Sequence, residues 1–518
     1  MILRDLLPNT LPVQVQGNLE VEIAQVTYDS RVVQPGALFF ALPGVKTDGA
    51  RFLDQARANG AYAVVAPQHT LHEWLAHTAS SACPTLIACD TPRALLGLVA
   101  ARFYREPSKR FALVGITGTS GKTTTTYLLE SIWRAQGWSA GVIGTVNYRY
   151  NGKELPAPFT TPEAVELQAL FADMAAADVS HVVMEVSSHA LAQDRVRGCQ
   201  WDGALFTNLG RDHLDFHADF EDYFAAKSRL FLEGLAESEK PQRFAAVNVD
   251  DDWGKRLLSL PLPGQVWTYG LQAEAKVSAV EVTNDFHGIS GKLRLGEETV
   301  PFASRLLGAP HLYNMLAAAT AAYALGVSPA TIALGIRQCE RIPGRMEPVV
   351  AGQPFTVLVD YAHKPDALEK VLQSVRQMKT GRLLTVFGCG GDRDRGKRPL
   401  MGAAAGRFSD VVILTSDNPR TEDPWQILAE AEPGLTAAGL KKTDDPAQVA
   451  HLQSGYLVIE DRRAAIRAVL AGAQPHDVVV IAGKGHEDYQ IIGTTKHHFD
   501  DREEVLAYVS TRYRGQPA

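Results

Sequence analysis

The sequence predicts three α/β domains in series. At about 150 residues per domain, 518 residues divide into three. Short, nearly continuous apolar runs alternate with helical stretches, the pattern of parallel sheets covered on both faces. Nearly every unusual polar cluster directly follows one of those runs.

In residues 1–105 the runs Val26–Ser30, Ala37–Leu42, Tyr62–Ala66 and Thr85–Cys89 read as strands of a small N-terminal α/β domain. Arg105-Glu106-Pro107-Ser108 reads as a linker. In residues 106–340, Phe111–Thr117, His181–Val186, Ala204–Asn208 and Phe244–Val249 read as strands of a parallel sheet. A helix is expected from about Lys122 to Gly137, a Gly-containing hairpin region from Lys276 to Pro301, and an Ala-rich helix after His311. In residues 341–518, Phe355–Val359, Leu383–Phe387, Val411–Thr415, Leu457–Glu460 and Val478–Ala482 predict a Rossmann-like C-terminal α/β domain.

Composition narrows the function. Hydrophobic residues at 46% and charged residues at 21% exclude disordered and fibrous classes. A net charge of −7 gives no general attraction to nucleic acid or anionic membrane, so a polyanionic substrate needs local basic groups. The five cysteines are odd in number and lack zinc-type spacing, which reads as reduced thiols. Met1–Glu20 lacks the basic and apolar regions of a signal peptide. The weakly polar run Met315–Val327 is too short to span a bilayer and reads as a buried helix. A soluble, cytoplasmic protein is expected, most simply a monomer.

Six polar clusters end strands: Thr117–Thr123, Glu185–His189, Asp360–His363, Gly388–Asp394, Asp417–Arg420 and Gly483–Glu487. Ligands of open parallel sheets bind outside the carboxyl ends of the strands. Gly118-Thr119-Ser120-Gly121-Lys122-Thr123 has the strand–turn–helix form of a phosphate cradle. Backbone N–H groups face the anion, Lys122 reaches terminal phosphates and Thr123 can ligate Mg²⁺. The strict Walker spacing fails, because Ile116 stands where the first Gly would be. Glu185 is either an exposed strand-end carboxylate or a metal ligand beside this loop. His213 is a second candidate ligand.

Lys227 shares one helical stripe with Phe220, Tyr223, Phe224, Leu230 and Phe231. It either snorkels to solvent or is desolvated to a neutral, nucleophilic amine open to covalent modification. In the last domain, Gly388-Cys389-Gly390-Gly391 is followed by Arg393 where a dinucleotide fingerprint needs Gly. Arg393, Arg395, Lys397 and Arg398 instead form a basic cluster near Arg420. Paired arginines suit bidentate carboxylate recognition. With Asp417 and Glu487, the region offers what a zwitterionic amino acid requires.

The chain resembles the Mur ligases over nearly its full length. The matching segments are TYDSR (27–31), GITGTSGKTTT (115–125), EVSSHALAQDRV (185–196), TNLGRDHLDFH (207–217), AAKSRLF (225–231), HLYN (311–314), PGRME (343–347), DYAHKPDAL (360–368), FGCGGDRDRGKRP (387–399), SDNPR (416–420) and GKGHEDYQ (483–490). Within the family it looks like the branch adding meso-2,6-diaminopimelate to UDP-N-acetylmuramoyl-L-alanyl-D-glutamate in peptidoglycan precursor synthesis.

The resemblance implies that Ser30, Val45, Lys46 and Thr47 hold the uridine nucleotide. It implies that Thr160, Thr161, Ser187, Gln193 and Arg195 contact the muramoyl-peptide. Gly118, Thr119, Ser120, Gly121, Lys122, Thr123 and Thr124, with Asn314, Arg345 and Asp360, would bind ATP. Thr123, Glu185, His213 and a carbamylated Lys227 would hold Mg²⁺, and Lys122, Lys227, Glu185 and His213 would carry catalysis. Arg393, Asp417, Asn418, Pro419, Arg420, Gly483 and Glu487 would bind diaminopimelate. Phe159 departs from relatives that carry a substrate-contacting Asn there. The implied reaction runs through an acyl phosphate of the D-Glu side chain.

Three other readings are weighed. An L-lysine-adding relative would lack Arg420, because lysine has no second carboxylate. A folylpolyglutamate synthase is disfavoured by the first domain and the DNPR segment. A P-loop switch or motor protein would need no acceptor amine, and the chain has no base-recognition N-K-x-D.

Overall fold

In the computed structural model, described for residues 1–44, 48–77, 84–212, 216–272, 274–378 and 381–513, the apolar runs become strands of three separate sheets. The first sheet has five strands, in the order Gln14–Gln16, Thr85–Ala88, Ala61–Ala66, Ala37–Phe40 and Gln25–Thr27. All pair in parallel except Gln14–Gln16. The expected run Val26–Ser30 stops at Thr27, because Asp29 accepts from the Arg31 N–H and starts a 3₁₀ turn at Ser30.

The central sheet has eleven strands. Its parallel core places Ala112–Thr117 between His181–Glu185 and Gly203–Phe206, with Phe244–Asn248 and Gln265–Tyr269 beyond Gly203–Phe206. The sheet is mixed at its edges. The hairpin region forms three antiparallel strands, Val277–Asp285, Gly288–Leu295 and Glu298–Ser304. On the other side, Asn147–Tyr150 and Lys153–Pro156 add an antiparallel pair beyond Ala140–Ile143. These strands, with Ala140–Ile143 and Gln265–Tyr269, lie outside the runs read from the sequence.

The last sheet has six strands, ordered Glu347–Pro348, Thr356–Asp360, Val478–Ala482, Leu383–Cys389, Val411–Ser416 and Gly455–Val458. All seven residues of Leu383–Cys389 are buried, as a parallel strand covered on both faces requires. Val478–Ala482, the last of these strands in the chain, inserts between Thr356–Asp360 and Leu383–Cys389, so the strand order reverses there and a topological switch lies between Leu383–Cys389 and Val478–Ala482. A hairpin of Tyr489–Ile492 and Thr495–His498 stands apart, undetected by its apolar content. Among the described residues, Cys89, Cys199, Cys339 and Cys389 are free and buried; Cys83 lies outside them. No helix there is long and apolar enough to cross a membrane.

Four successive threonines, Thr123–Thr126, open the helix Lys122–Ala135 and are all buried. Their modest helix propensity is offset where hydroxyls satisfy backbone acceptors: Thr125 bonds the Gly121 carbonyl at 2.8 Å and Thr126 that of Thr123 at 2.7 Å. Two helices hold this one in place. Ala309–Ala324 buries its alanine-rich length in the same core, which includes Met315–Val327 as anticipated. Pro329–Gln338 crosses at Gly335, where a Cβ would sit 2.4 Å from the Ile132 Cα.

Only glycine fits that crossing. Gly335→Val is therefore expected to destabilise the central domain by about 1–3 kcal/mol. The check is a lowered thermal midpoint together with weaker nucleotide binding; an unchanged midpoint would contradict the packing argument.

Candidate active site at the carboxyl ends of the strands

Strand Ala112–Thr117 ends in a turn built around two glycines. Gly118 has φ +143° and a Cβ there would lie 1.9 Å from the Thr207 hydroxyl; Gly121 has φ +88° and its Cβ would lie 2.3 Å from Asn314 Oδ1. Both positions thus require glycine twice over, by conformation and by space. The neighbouring strand end clamps the turn. The Thr119 N–H donates to the Asn208 carbonyl at 2.8 Å, the Thr207 hydroxyl to the Ser120 carbonyl at 2.7 Å, and the Ser120 N–H to Asn208 Oδ1 at 3.1 Å.

Two ammonium groups meet this turn. Lys122 Nζ donates to the carbonyls of Gly118 and Thr119 at 2.8 and 3.2 Å, and Lys227 Nζ donates to the same Gly118 carbonyl at 2.9 Å. Burial depresses both lysines below their ordinary value. For Lys227 the fall is large, and the neighbouring Lys122 adds to it. Lys227 is 1% exposed, so it does not snorkel, and it sits 4.5 Å from the centre of the Tyr223 ring. The helix holding it, Phe220–Arg229, passes into a π-helical turn at Leu230–Leu235. The regular stripe expected through Phe231 thus ends at Arg229, although Leu230 and Phe231 remain buried.

Glu185 is buried, which settles against an exposed strand-end carboxylate. Its Oε1 accepts from the Thr123 hydroxyl at 2.9 Å and the Thr145 N–H at 2.8 Å, and its Oε2 from the Thr145 hydroxyl at 3.1 Å. Thr145 continues to the Thr160 hydroxyl at 3.1 Å. Thr161 donates to the Glu185 carbonyl at 2.8 Å and accepts from the Ser187 N–H at 3.0 Å. Arg195 gathers the next residues: it bonds Gln193 Oε1, the Thr161 carbonyl and Glu163, with its guanidinium 5.4 Å from the Phe159 ring centre. The exposed Phe159 ring therefore packs on a cationic plane. In the first domain, the buried Ser30 donates to Gln55 Oε1 at 2.8 Å, remote in these bonds from the loop. Val45, Lys46, Thr47 and His213 lie outside the described residues.

The C-terminal domain reaches the same cleft. Arg345 donates to the Thr123 hydroxyl at 3.3 Å, and Lys364 pairs with Asp212. Arg345 is positioned from two sides. Gly344 packs so closely on Gly485-His486 that a Cβ would lie 2.2 Å from the His486 N, while Asp360 accepts from the Met346 N–H at 2.7 Å. Burial raises the Asp360 carboxyl above its ordinary value.

At the switch point, Asn418 Nδ2 donates to Glu487 Oε2 at 3.1 Å, and Lys484 Nζ lies 3.1 Å from Asp417 Oδ1. Burial and the nearby Asp417 raise Glu487. Burial would raise Asp417 too, but the Lys484 and Arg462 cations outweigh it and hold Asp417 below the usual carboxylate range. Arg420 has φ +53° and donates to the Gly391 carbonyl at 2.7 Å. The basic cluster is smaller than expected. Arg395 pairs with Glu430, and the fully buried Arg398 pairs with Glu422 and Glu430. Lys397 turns inward to the His363 carbonyl at 3.1 Å. Arg393 donates to the Asp392 carbonyl at 3.0 Å.

Thus Lys122, Thr123, Glu185, Lys227, Asn314 and Arg345 meet around one turn, and Asp417, Asn418, Gly483 and Glu487 around another. Sequence reasoning missed Thr145, Asn208, Asp212, Lys364 and Lys484. Lys484 carried a signal, a lysine between two glycines at a strand end; Thr145 carried none.

Family profiles match in the same order as the sheets. The profile described as Mur ligase family, catalytic domain, matches residues 22–104; Mur ligase middle domain matches 116–322; and Mur ligase, glutamate ligase domain, matches 344–485. The chain is 50% identical over 510 residues to the UDP-N-acetylmuramoyl-L-alanyl-D-glutamate–2,6-diaminopimelate ligase of Geobacter metallireducens, covering 98% of each. It is 48% identical over 513 residues to the protein of the same name from Geobacter sulfurreducens, again covering 98% of each. A solved structure of a ligase with that name superposes with a TM-score of 0.69 at 32% identity, covering 99% of both chains. With its glycine-built loop, its three sheets and these likenesses along nearly its full length, the chain belongs to the Mur ligase family.

Proposed function

We propose that this chain is an ATP-dependent ligase that joins an amine of meso-2,6-diaminopimelate to the D-Glu side-chain carboxylate of UDP-N-acetylmuramoyl-L-alanyl-D-glutamate. The observation that carries the reading is the junction of two unlike sites. A lysine-lined phosphate loop meets, through Arg345 and Thr123, a domain whose switch point presents both carboxylates and arginine. A relative 50% identical that bears this activity in its name supports the choice of substrates.

In this reading the D-Glu carboxylate attacks the γ-phosphorus of ATP, giving an acyl phosphate and ADP. The diaminopimelate amine then attacks the acyl carbon, and phosphate leaves from the tetrahedral intermediate. Lys122, drawn off the Gly118 and Thr119 carbonyls, meets the phosphoryl charge. Arg345 approaches it from the opposite domain. Asp417 and Glu487 receive the zwitterion's ammonium, and Arg420 with Arg393 receives its distal carboxylate.

The family implies Mg²⁺, and the hard oxygen donors of Thr123 and Glu185 fit it. Among the described residues no three His, Cys, Asp or Glu side chains come together, which suits an ion completed by water and phosphate oxygens. When bound, the ion offsets charge on the transferring phosphoryl group. Burial and the neighbouring Lys122 push Lys227 toward the neutral amine, whose lone pair would take up CO₂. The carbamate, formed with release of a proton, would offer a carboxylate-like oxygen to a bound ion.

Phosphate release is expected only when ATP, the UDP-dipeptide and diaminopimelate are all present. Lys122→Ala should lower kcat by roughly 10²–10³-fold, the scale of losing one charge-stabilising donor. Release indifferent to both acceptors would refute the reading. Arg420→Ala should lower kcat/KM for diaminopimelate about 10- to 100-fold, the worth of a charge-assisted bond, and barely change the poor use of L-lysine. A parent enzyme that used lysine equally well would instead favour the lysine-adding alternative.

A further inference from the structure

Lys484 is buried to 0% exposure, yet nothing in the reaction above uses it. Burying an ammonium is costly, and an apolar side chain of similar size would stabilise the fold as well or better. Its three N–H donors have three acceptors within reach. Nζ lies 2.7 Å from the Tyr489 carbonyl, 3.1 Å from Asn418 Oδ1 and 3.1 Å from Asp417 Oδ1. The strand-end loop is shaped to bring it there. Gly483 has φ +118° and its Cβ would fall 2.9 Å from Asp417 Oδ2; Gly485 has φ +54° and its Cβ would fall 2.6 Å from the Tyr361 Cβ.

These contacts decide how neighbouring groups are presented. Asn418 Oδ1 accepts from Lys484 and also from the Ile491 N–H at 2.9 Å. Both partners are donors only, so the amide oxygen must face them and Nδ2 must face Glu487, where it donates at 3.1 Å. Reversing the amide would set its donors against an ammonium and leave Glu487 facing an oxygen. Asp417 Oδ1 is buried beside the Lys484 ammonium at 3.1 Å, a contact that holds this edge of the carboxylate in place. The fully buried Arg462 closes the far side, bonded to the Ala482 carbonyl and to Asp501.

We propose that Lys484 is the positioning residue of the amino-acid pocket, its ammonium fixing the sense of the Asn418 amide and the orientation of the Asp417 carboxylate toward an incoming amino acid. Lys484 touches no substrate in this account. It ties the DNPR loop, the strand-end loop and the Tyr489 hairpin together, so their polar groups converge on one zwitterion. The proposal rests on the amino-acid ligase reading.

The test is steady-state phosphate release by the full-length enzyme and its Lys484→Met variant, varying each substrate in turn, with thermal protection by ADP and by diaminopimelate. Parent turnover that ignores diaminopimelate would refute the underlying reading and not this inference alone. Given that dependence, Lys484→Met is expected to raise KM for diaminopimelate about tenfold or more and abolish its thermal protection. KM for ATP and the UDP-dipeptide should stay within about twofold, and protection by ADP should persist. Lys484→Arg, which keeps a cation, should recover part of the loss. An unchanged KM for diaminopimelate, or an equal rise for all three substrates, would overturn the proposal. If Lys484→Met does not fold, Lys484→Gln is read by the same criteria, and failure of both to fold would overturn it in favour of a purely structural lysine.

Discussion

One backbone carbonyl organises the molecule: that of Gly118, which accepts from both Lys122 and Lys227 in a buried setting. Two ammonium groups cannot share a dry site without cost, since burial and mutual repulsion both oppose charge. The tension is relieved when one lysine is neutral and the other meets an anion. A protein of net charge −7 thereby holds a concentrated positive spot at the end of one strand. The glycines at 118 and 121, the Thr207–Asn208 clamp and the threonine-rich helix all keep that spot in place.

From this spot the rest follows by contact. Thr123 ties the loop to Glu185, Glu185 to Thr145, and Thr145 to Thr160, so the phosphate site and the expected peptide side share one hydrogen-bond chain. Arg345 and Lys364 cross from the C-terminal domain to Thr123 and Asp212. His363, beside Lys364, is pushed down to about 3 by burial and nearby lysines, so its imidazole is uncharged at neutral pH. The switch point of the last sheet thus belongs to the same domain that touches the glycine-built loop.

Much of this was legible in the sequence because parallel strands covered on both faces are written as apolar runs, and their carboxyl ends as polar clusters. Val478–Ala482 was read to the residue, and the central strands at their cores. The antiparallel edge strands were harder. Lys153–Pro156 is wholly exposed and has no apolar signal to give. Charge was misread where partners lie far along the chain: Arg395 and Arg398 look free until Glu422 and Glu430 come to meet them. Lys227 was legible as an anomaly on an apolar face, but its partner, a backbone carbonyl 109 residues away, was not. Thr145 and Asn208 escaped for the same reason, since only the register of the sheet brings them to the loop.

The central claim is that the D-Glu carboxylate becomes an acyl phosphate before the amine adds. Transfer of label tests it most directly. UDP-dipeptide carrying ¹⁸O at both oxygens of the D-Glu side-chain carboxylate would be turned over with ATP and diaminopimelate, and the released phosphate examined by mass spectrometry. The account requires one ¹⁸O in each phosphate released, because the attacking carboxylate oxygen leaves with phosphorus. Unlabelled phosphate at full turnover would contradict it.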